Sequence, residues 1–211
     1  MDKKIALDFR LYLITDRRLF TGGDSLLNAI EEALKGGVQA VQLREKDLEI
    51  RELLRMAYEL RKLTSGYGAK LFINDRVDVA LAVDADGVHL GGASMPAFAA
   101  RKAAGEGMLI GVSAHSLAEA KKAEEEGADF VTFGPIFETP SKLKYGKPLG
   151  LGPMKEAGAR ISIPVFAIGG IRVERVKNAL ESGAFGIALI SAILGSEDIQ
   201  SNTEEFMRLL K

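Results

Sequence analysis

Hydrophobic and polar positions along this chain alternate between two rhythms. Short runs rich in branched and aromatic residues lie at Leu11–Thr15, Ala40–Arg44, Lys70–Asn74, Gly87–Leu90, Leu109–Ser113, Phe130–Phe133, Val165–Ile168 and Gly186–Ile190. Their length and composition predict strands. Between them lie amphipathic, charge-rich segments at Ser25–Lys35, Leu48–Leu63, Val77–Val83, Ala97–Ala104, Leu117–Glu126, Gly152–Ala159, Val173–Glu181 and Thr203–Leu210. These predict helices. Strand and helix patterns that take turns from end to end predict βα units around a parallel sheet.

A short internal repeat supports the count. Gly37-Val-Gln-Ala-Val41, Asp84-Ala-Asp-Gly-Val88, Gly127-Ala-Asp-Phe-Val131 and Gly183-Ala-Phe-Gly-Ile187 share one pattern. Each closes a helix with glycine or aspartate and opens a strand. They recur about every two βα units, so four double units make eight. Eight units in 211 residues predict a (β/α)8 TIM barrel near its minimum size, a single domain over residues 1–211. The alternative, an open doubly wound sheet, usually has fewer units. It often carries a Gly-x-Gly-x-x-Gly turn after its first strand, and this chain has none.

Composition narrows the chemistry. Basic and acidic residues number 28 and 29, a net charge of −1, which argues against nucleic-acid binding driven by bulk charge. With no cysteine and only two histidines, His89 and His115, disulfides, thiolate metal sites, cysteine nucleophiles and three-histidine zinc sites are excluded. Met1 to Arg10 holds no apolar stretch of signal-peptide length. The longest nearly uncharged apolar run, Phe185–Leu194, is about half of a membrane span. We expect a soluble cytoplasmic protein with no membrane partner. Assembly with copies of itself stays open.

In such a barrel the active site lies at the C-terminal ends of the strands, where residues two apart share a face. Gln42, Arg44 and Lys46 share one face at the end of the second strand. Two cations and an amide there call for an anion, because burying unpaired cations is costly. Alternatively Lys46 is a solvated loop charge and Arg44 pairs with an acid from another strand. At the end of the third strand stand Asn74 and Asp75. Asp75 suits either a metal or the cap of the helix near Val77. On the fifth, Gly111, Ser113 and His115 share a face, followed by Ser116 and Glu119 in capping-box spacing. His115 is either a functional imidazole or a plain loop residue. His89, inside a strand, reads as a satisfied structural histidine. After the sixth strand a loop carries Thr139, Ser141 and Lys142. Gly169 and Gly170 follow the seventh strand, and Ile190 and Ser191 end the eighth. Glycines before a helix present amides to an anion, and barrels frequently bind phosphate between these last two loops. The residues alone predict a barrel acting on phosphorylated small molecules.

Gln42-Leu-Arg-Glu-Lys46, Ile73-Asn-Asp75, Gly87-Val-His-Leu-Gly91, Gly111-Val-Ser-Ala-His115, Thr139-Pro-Ser-Lys142 and Ala167-Ile-Gly-Gly170 together resemble the thiamine-phosphate synthase superfamily, over nearly the whole chain and in the right order. The superfamily also includes the thiazole tautomerases. The resemblance implies Mg²⁺-dependent coupling of hydroxymethylpyrimidine diphosphate to thiazole phosphate, with release of pyrophosphate by a dissociative route. It implies that Gln42, Arg44, Lys46, Asn74, Ser113 and Lys142 hold the pyrimidine diphosphate and that Asp75 binds Mg²⁺. It implies that Thr139, Ser141, Gly170, Ile190 and Ser191 hold the thiazole phosphate, where spacing already put Gly169. The chain departs from the pattern at Ser94, where the synthases usually carry a second metal-binding aspartate. That departure leaves two alternatives: a thiazole tautomerase using His115 as acid and base, and a thiazole phosphate-binding regulator without catalysis.

Overall fold

The computed structural model describes residues 7–20, 23–139 and 147–211. Eight strands form one sheet: β1 (Leu11–Ile14), β2 (Ala40–Leu43), β3 (Lys70–Asn74), β4 (Gly87–Leu90), β5 (Leu109–Ala114), β6 (Phe130–Phe133), β7 (Val165–Ile168) and β8 (Gly186–Leu189). Each pairs in parallel with the next. β8 returns to β1 through Leu11↔Ile187, Tyr12↔Ala188 and Leu13↔Leu189, closing the expected barrel. The helices are α1 (Gly23–Lys35), α2 (Ile50–Gly66), α3 (Val77–Ala82), α4 (Ala97–Ala104), α5 (Leu117–Glu125), α6 (Leu151–Arg160), α7 (Val173–Glu181), α8 (Ser191–Leu194) and α9 (Ile199–Leu209). Among the described residues no helix is long and apolar enough to cross a membrane.

The predicted strands match to within a residue at either end. The pattern missed two elements, a single 3₁₀ turn at Arg17–Leu19 and α8. Both follow a strand at the C-terminal end of the barrel, and helices of three or four residues are too short to display a period. The last helix also begins earlier than its apolar pattern predicts. The Asp198 side chain accepts from the Ser201 amide at 2.9 Å and so caps α9 ahead of its buried face.

The repeat turns out to be a structural device. Gly37, Asp84, Gly127 and Gly183 all sit at positive φ, between 50° and 101°. They reverse the chain after a helix, a conformation that glycine adopts freely and aspartate tolerates. Two residues further on, in three of the four repeats, a side-chain oxygen takes an amide at the start of the preceding odd-numbered strand; the fourth repeat has Phe185 there. Gln39 Oε1 accepts from Arg10 at 3.3 Å, Asp86 Oδ2 from Leu71 at 2.8 Å, and Asp129 Oδ2 from Ile110 at 2.6 Å. Asp86 and Asp129 each also hold an arginine from the helix wall, Arg61 of α2 and Arg101 of α4. These clamps lie at the N-terminal end of the barrel, away from the mouth.

Outward-facing strand residues such as Val41, Leu43, Leu71 and Ile73 pack under the helices. The inward set is separate: Tyr12, Phe72, Phe130 and Phe166, closed from below by Phe9. Their rings meet mostly edge to face, with centroids 5.2 Å apart for Tyr12 and Phe72 and 5.4 Å for Phe130 and Phe166. Three inward glycines make room for them. A Cβ at Gly186 would lie 2.7 Å from the Phe166 ring, and Cβ atoms at Gly87 and Gly111 would run into Phe72 and Phe130. The barrel floor is therefore a filled aromatic layer rather than a pore.

Candidate active site

Above the aromatic floor the interior turns polar. Gln42, only 1% exposed, donates from Nε2 to the Tyr12 hydroxyl at 2.9 Å. That hydroxyl lies 3.3 Å from His89 Nδ1, and His89 Nε2 lies 3.0 Å from Ser113 Oγ. Thr132 Oγ1 donates to Ser113 Oγ at 3.4 Å. Burial drives the His89 pKa down to about 3 and raises that of Tyr12 well above its ordinary value, because a charge in this interior would be poorly solvated. Both groups are neutral near pH 7. His89 is the satisfied histidine the sequence predicts, with a partner on each ring nitrogen. Tyr12 and Thr132 escape sequence reading. Each looks like an ordinary strand residue until barrel closure brings β1, β4, β5 and β6 face to face.

The second layer gathers at the ends of β2 and β3. Alternation along β2 holds: Gln42 and Arg44 lie on the inner side, while Leu43 joins the helix-facing core and Glu45 is buried against Arg17. Burial raises the pKa of that carboxyl. The Arg44 amide donates to Thr15 Oγ1 at 2.9 Å. Its guanidinium makes no ion pair or hydrogen bond among the described residues, so the acid from another strand that was its alternative partner is not found there. Lys46, more than half exposed, has Nζ 3.8 Å from Asp75 Oδ2. Asp75 is in the left-handed region at φ 63°. Asn74 donates to its Oδ2 at 2.7 Å, and the Ser94 hydroxyl donates to its Oδ1. Ser94 Oγ in turn accepts from the Gly91 amide at 2.6 Å. The capping alternative for Asp75 does not hold: Arg76 occupies the cap position of α3, without a side-chain cap.

The remaining predicted residues ring the mouth from β5 to β8. His115 is exposed at the end of β5, with Nδ1 held on the Gly134 carbonyl at 2.5 Å. Ser116 caps α5 as expected, accepting from Glu119 at 3.2 Å. The returning Glu119 carboxylate takes the His115 amide rather than that of Ser116. After β6 the chain is stitched to the end of β7, Ile136 to Ile168 at 2.9 Å and Phe137 to Gly169 at 3.0 Å. Leu149 and Gly150 bond back to Pro135 and Ile136. Thr139 lies on this loop, while Ser141 and Lys142 fall outside the described residues. Gly169 and Gly170 have φ of 93° and 64°. A Cβ at Gly170 would sit 2.5 Å from the Glu138 carbonyl, so only glycine lets the two loops lie together. Ile190 precedes α8, and Ser191 begins it, exposed.

Lys46, Asn74, Asp75 and Ser94 thus form one cluster, Arg44 stands at the end of β2, and the β6–β7 loops with Gly169 and Gly170 form another cluster on the same rim. A closed barrel whose strand C-termini present a guanidinium without a partner among the described residues, a lysine–aspartate pair and two left-handed glycines is the frame of an enzyme for small phosphorylated molecules. The family model described as thiamine monophosphate synthase matches residues 11–193. The thiamine-phosphate synthase of Clostridium novyi is 47% identical, covering 92% of this chain and 95% of its own length. That of Halalkalibacterium halodurans is 45% identical, covering 97% and 96%. The solved thiamine phosphate pyrophosphorylase from Pyrococcus furiosus superposes with a TM-score of 0.87 at 42% identity, over 96% of this chain and 95% of that one. The chain belongs to the thiamine monophosphate synthase family.

Proposed function

We infer that this barrel catalyses the thiamine-phosphate synthase reaction, a transfer that joins hydroxymethylpyrimidine diphosphate to thiazole phosphate and releases pyrophosphate in thiamine biosynthesis. Within this family, the observation that supports the assignment of roles is the Lys46–Asp75 pair, 3.8 Å apart at the barrel mouth, together with an Arg44 guanidinium at the end of β2 that makes no ion pair among the described residues. Arg44, Lys46 and Lys142 receive the diphosphate, with Asn74 and Ser113 on its pyrimidine side and Gln42 beneath. Charge-assisted contacts of this kind are strongest where charge develops, on the departing pyrophosphate. The bond from the pyrimidine methylene carbon to the diphosphate oxygen breaks, and its electron pair leaves with pyrophosphate. The thiazole nitrogen then donates its lone pair to that carbon. This step requires alignment more than a base, so His115 at the rim has no proton to carry. Thr139, Ser141, Gly169, Gly170, Ile190 and Ser191 hold the thiazole phosphate on amides and hydroxyls.

The residues fit Mg²⁺ arriving with the diphosphate. Asp75 supplies one carboxylate, and Ser94, its hydroxyl already on that carboxylate, stands where a second would be. Among the described residues no group of three or more histidine, cysteine or acidic side chains forms a cage. Mg²⁺ commonly binds through one or two carboxylates with substrate phosphates and water filling the rest. Bound there, it would neutralise charge on the leaving pyrophosphate. Phosphorylated substrates stay in the compartment that makes them, and on that ground we place the enzyme in the cytoplasm.

The test is incubation of the purified protein with both substrates, with Mg²⁺ and with excess chelator. Thiamine phosphate should form with the metal and not without it. No product at saturating Mg²⁺ would overturn the reading, and undiminished product in chelator would remove the metal from Asp75.

A further inference from the structure

The polar relay under the mouth has a direction. The amide nitrogen of Gln42 can only donate, so the Tyr12 oxygen accepts there at 2.9 Å. Its own proton then goes to His89 Nδ1 at 3.3 Å. A neutral imidazole that accepts on Nδ1 carries its proton on Nε2. That N–H donates to Ser113 Oγ at 3.0 Å, and Thr132 donates to the same oxygen at 3.4 Å. Two donors occupy the Ser113 oxygen, so the Ser113 proton points elsewhere. Tyr12, His89 and Thr132 are buried, whereas Ser113 is partly exposed near the C-terminal end of β5, facing the mouth.

We propose that Tyr12 and His89 are positioning residues that lock the Ser113 hydroxyl as a hydrogen-bond donor to an acceptor atom of the bound pyrimidine diphosphate. The inference rests on the placement of Ser113 in that substrate's site. A free hydroxyl rotates and offers a lone pair as readily as a proton. Here the rotor is set before substrate arrives, so no reorganisation is needed during the reaction. The relay also selects. A substrate analogue presenting a donor at that point would meet a second donor, and both would lose their partners.

The experiment compares His89→Leu, His89→Gln, Tyr12→Phe, Ser113→Ala and the His89→Leu/Ser113→Ala double variant by kcat and KM. Thermal melts control for folding, and a ¹⁵N spectrum of the wild-type imidazole completes the set. Ser113→Ala and His89→Leu should each lower kcat about tenfold or more, the scale of one oriented hydrogen bond, with KM changing much less. The double variant should be no worse than Ser113→Ala, because the two residues act through one bond. His89→Gln, whose amide can reach Ser113, should recover most of the loss. In the wild type the proton should be on Nε2. A Ser113→Ala defect with full kcat in Tyr12→Phe and His89→Leu would overturn the relay and leave the site intact. Full activity in Ser113→Ala would overturn the placement of Ser113 itself. A proton found on Nδ1 would reverse the direction and overturn the proposal even if the leucine variant fails to fold.

Discussion

Arg44 shows what a single position can be asked. Its amide is fixed by Thr15 and its guanidinium is without a partner among the described residues, so the side chain is held ready for an anion. A charge-assisted contact is worth about 1.5–3 kcal/mol. Arg44→Ala should therefore lower kcat/KM by about tenfold to hundredfold while the melting temperature stays within a degree or two of wild type. Steady-state kinetics with varied pyrimidine diphosphate decide it, and unchanged kinetics would make Arg44 a bystander. This residue was legible because strand alternation assigns Gln42, Arg44 and Lys46 to one face without any three-dimensional knowledge. Ser94 and Asp75 were legible as positions, but not as partners. Their contact spans the β4–α4 loop and the end of β3, and loop paths carry no periodic signal. Tyr12 was invisible for a different cause: an aromatic residue in a strand reads as core, and its hydroxyl acquires meaning only from a histidine three strands away.

At the level of strands and helices, the alternating hydrophobic pattern did the predicting and the four-fold repeat supported the count, and the structure explains why the repeat exists. Positive φ after a helix at all four repeats, and an oxygen acceptor two residues later at three of them, are local requirements, so they leave a local mark. Asp129 serves both Ile110 of β5 and Arg101 of α4 with one oxygen, and both side chains of the pair are under a fifth exposed. Asp129→Ala would leave the Ile110 amide without its acceptor and the Arg101 guanidinium without its carboxylate, on backbone carbonyls alone. It should cost about 1–3 kcal/mol, read as a lower urea midpoint. The clamp is at the opposite end from the chemistry, so kcat and KM of the folded variant should stay at wild-type values. A midpoint unmoved by the substitution would show that water replaces the carboxylate without cost. The short helix α8 and the 3₁₀ turn Arg17–Leu19 left no comparable mark, since each is defined by the rim around it.

For the molecule as a whole, eight units closing into a barrel followed from counting, whereas the polar chamber inside it required the closure itself. That chamber gives the fold an acid limit. Burial holds His89 near a pKa of about 3 against a free value of 6.5. Above pH 6.5 neither folded nor unfolded chain binds this proton, and stability is at its full value. Below it the unfolded chain takes up a proton that the folded one refuses. Stability should then fall by about 1.4 kcal/mol per pH unit from this group as pH drops toward 3. Unfolding free energies measured between pH 7 and 5 should show a shallower decline in His89→Gln than in wild type, and identical slopes would assign acid sensitivity to the carboxylates instead. The filled aromatic floor has a last effect, on traffic. A vessel sealed at the base has a single doorway, so two reactants and two products all share it. Whatever enters first settles deepest and departs last, and a crowd of late arrivals can bar the way out.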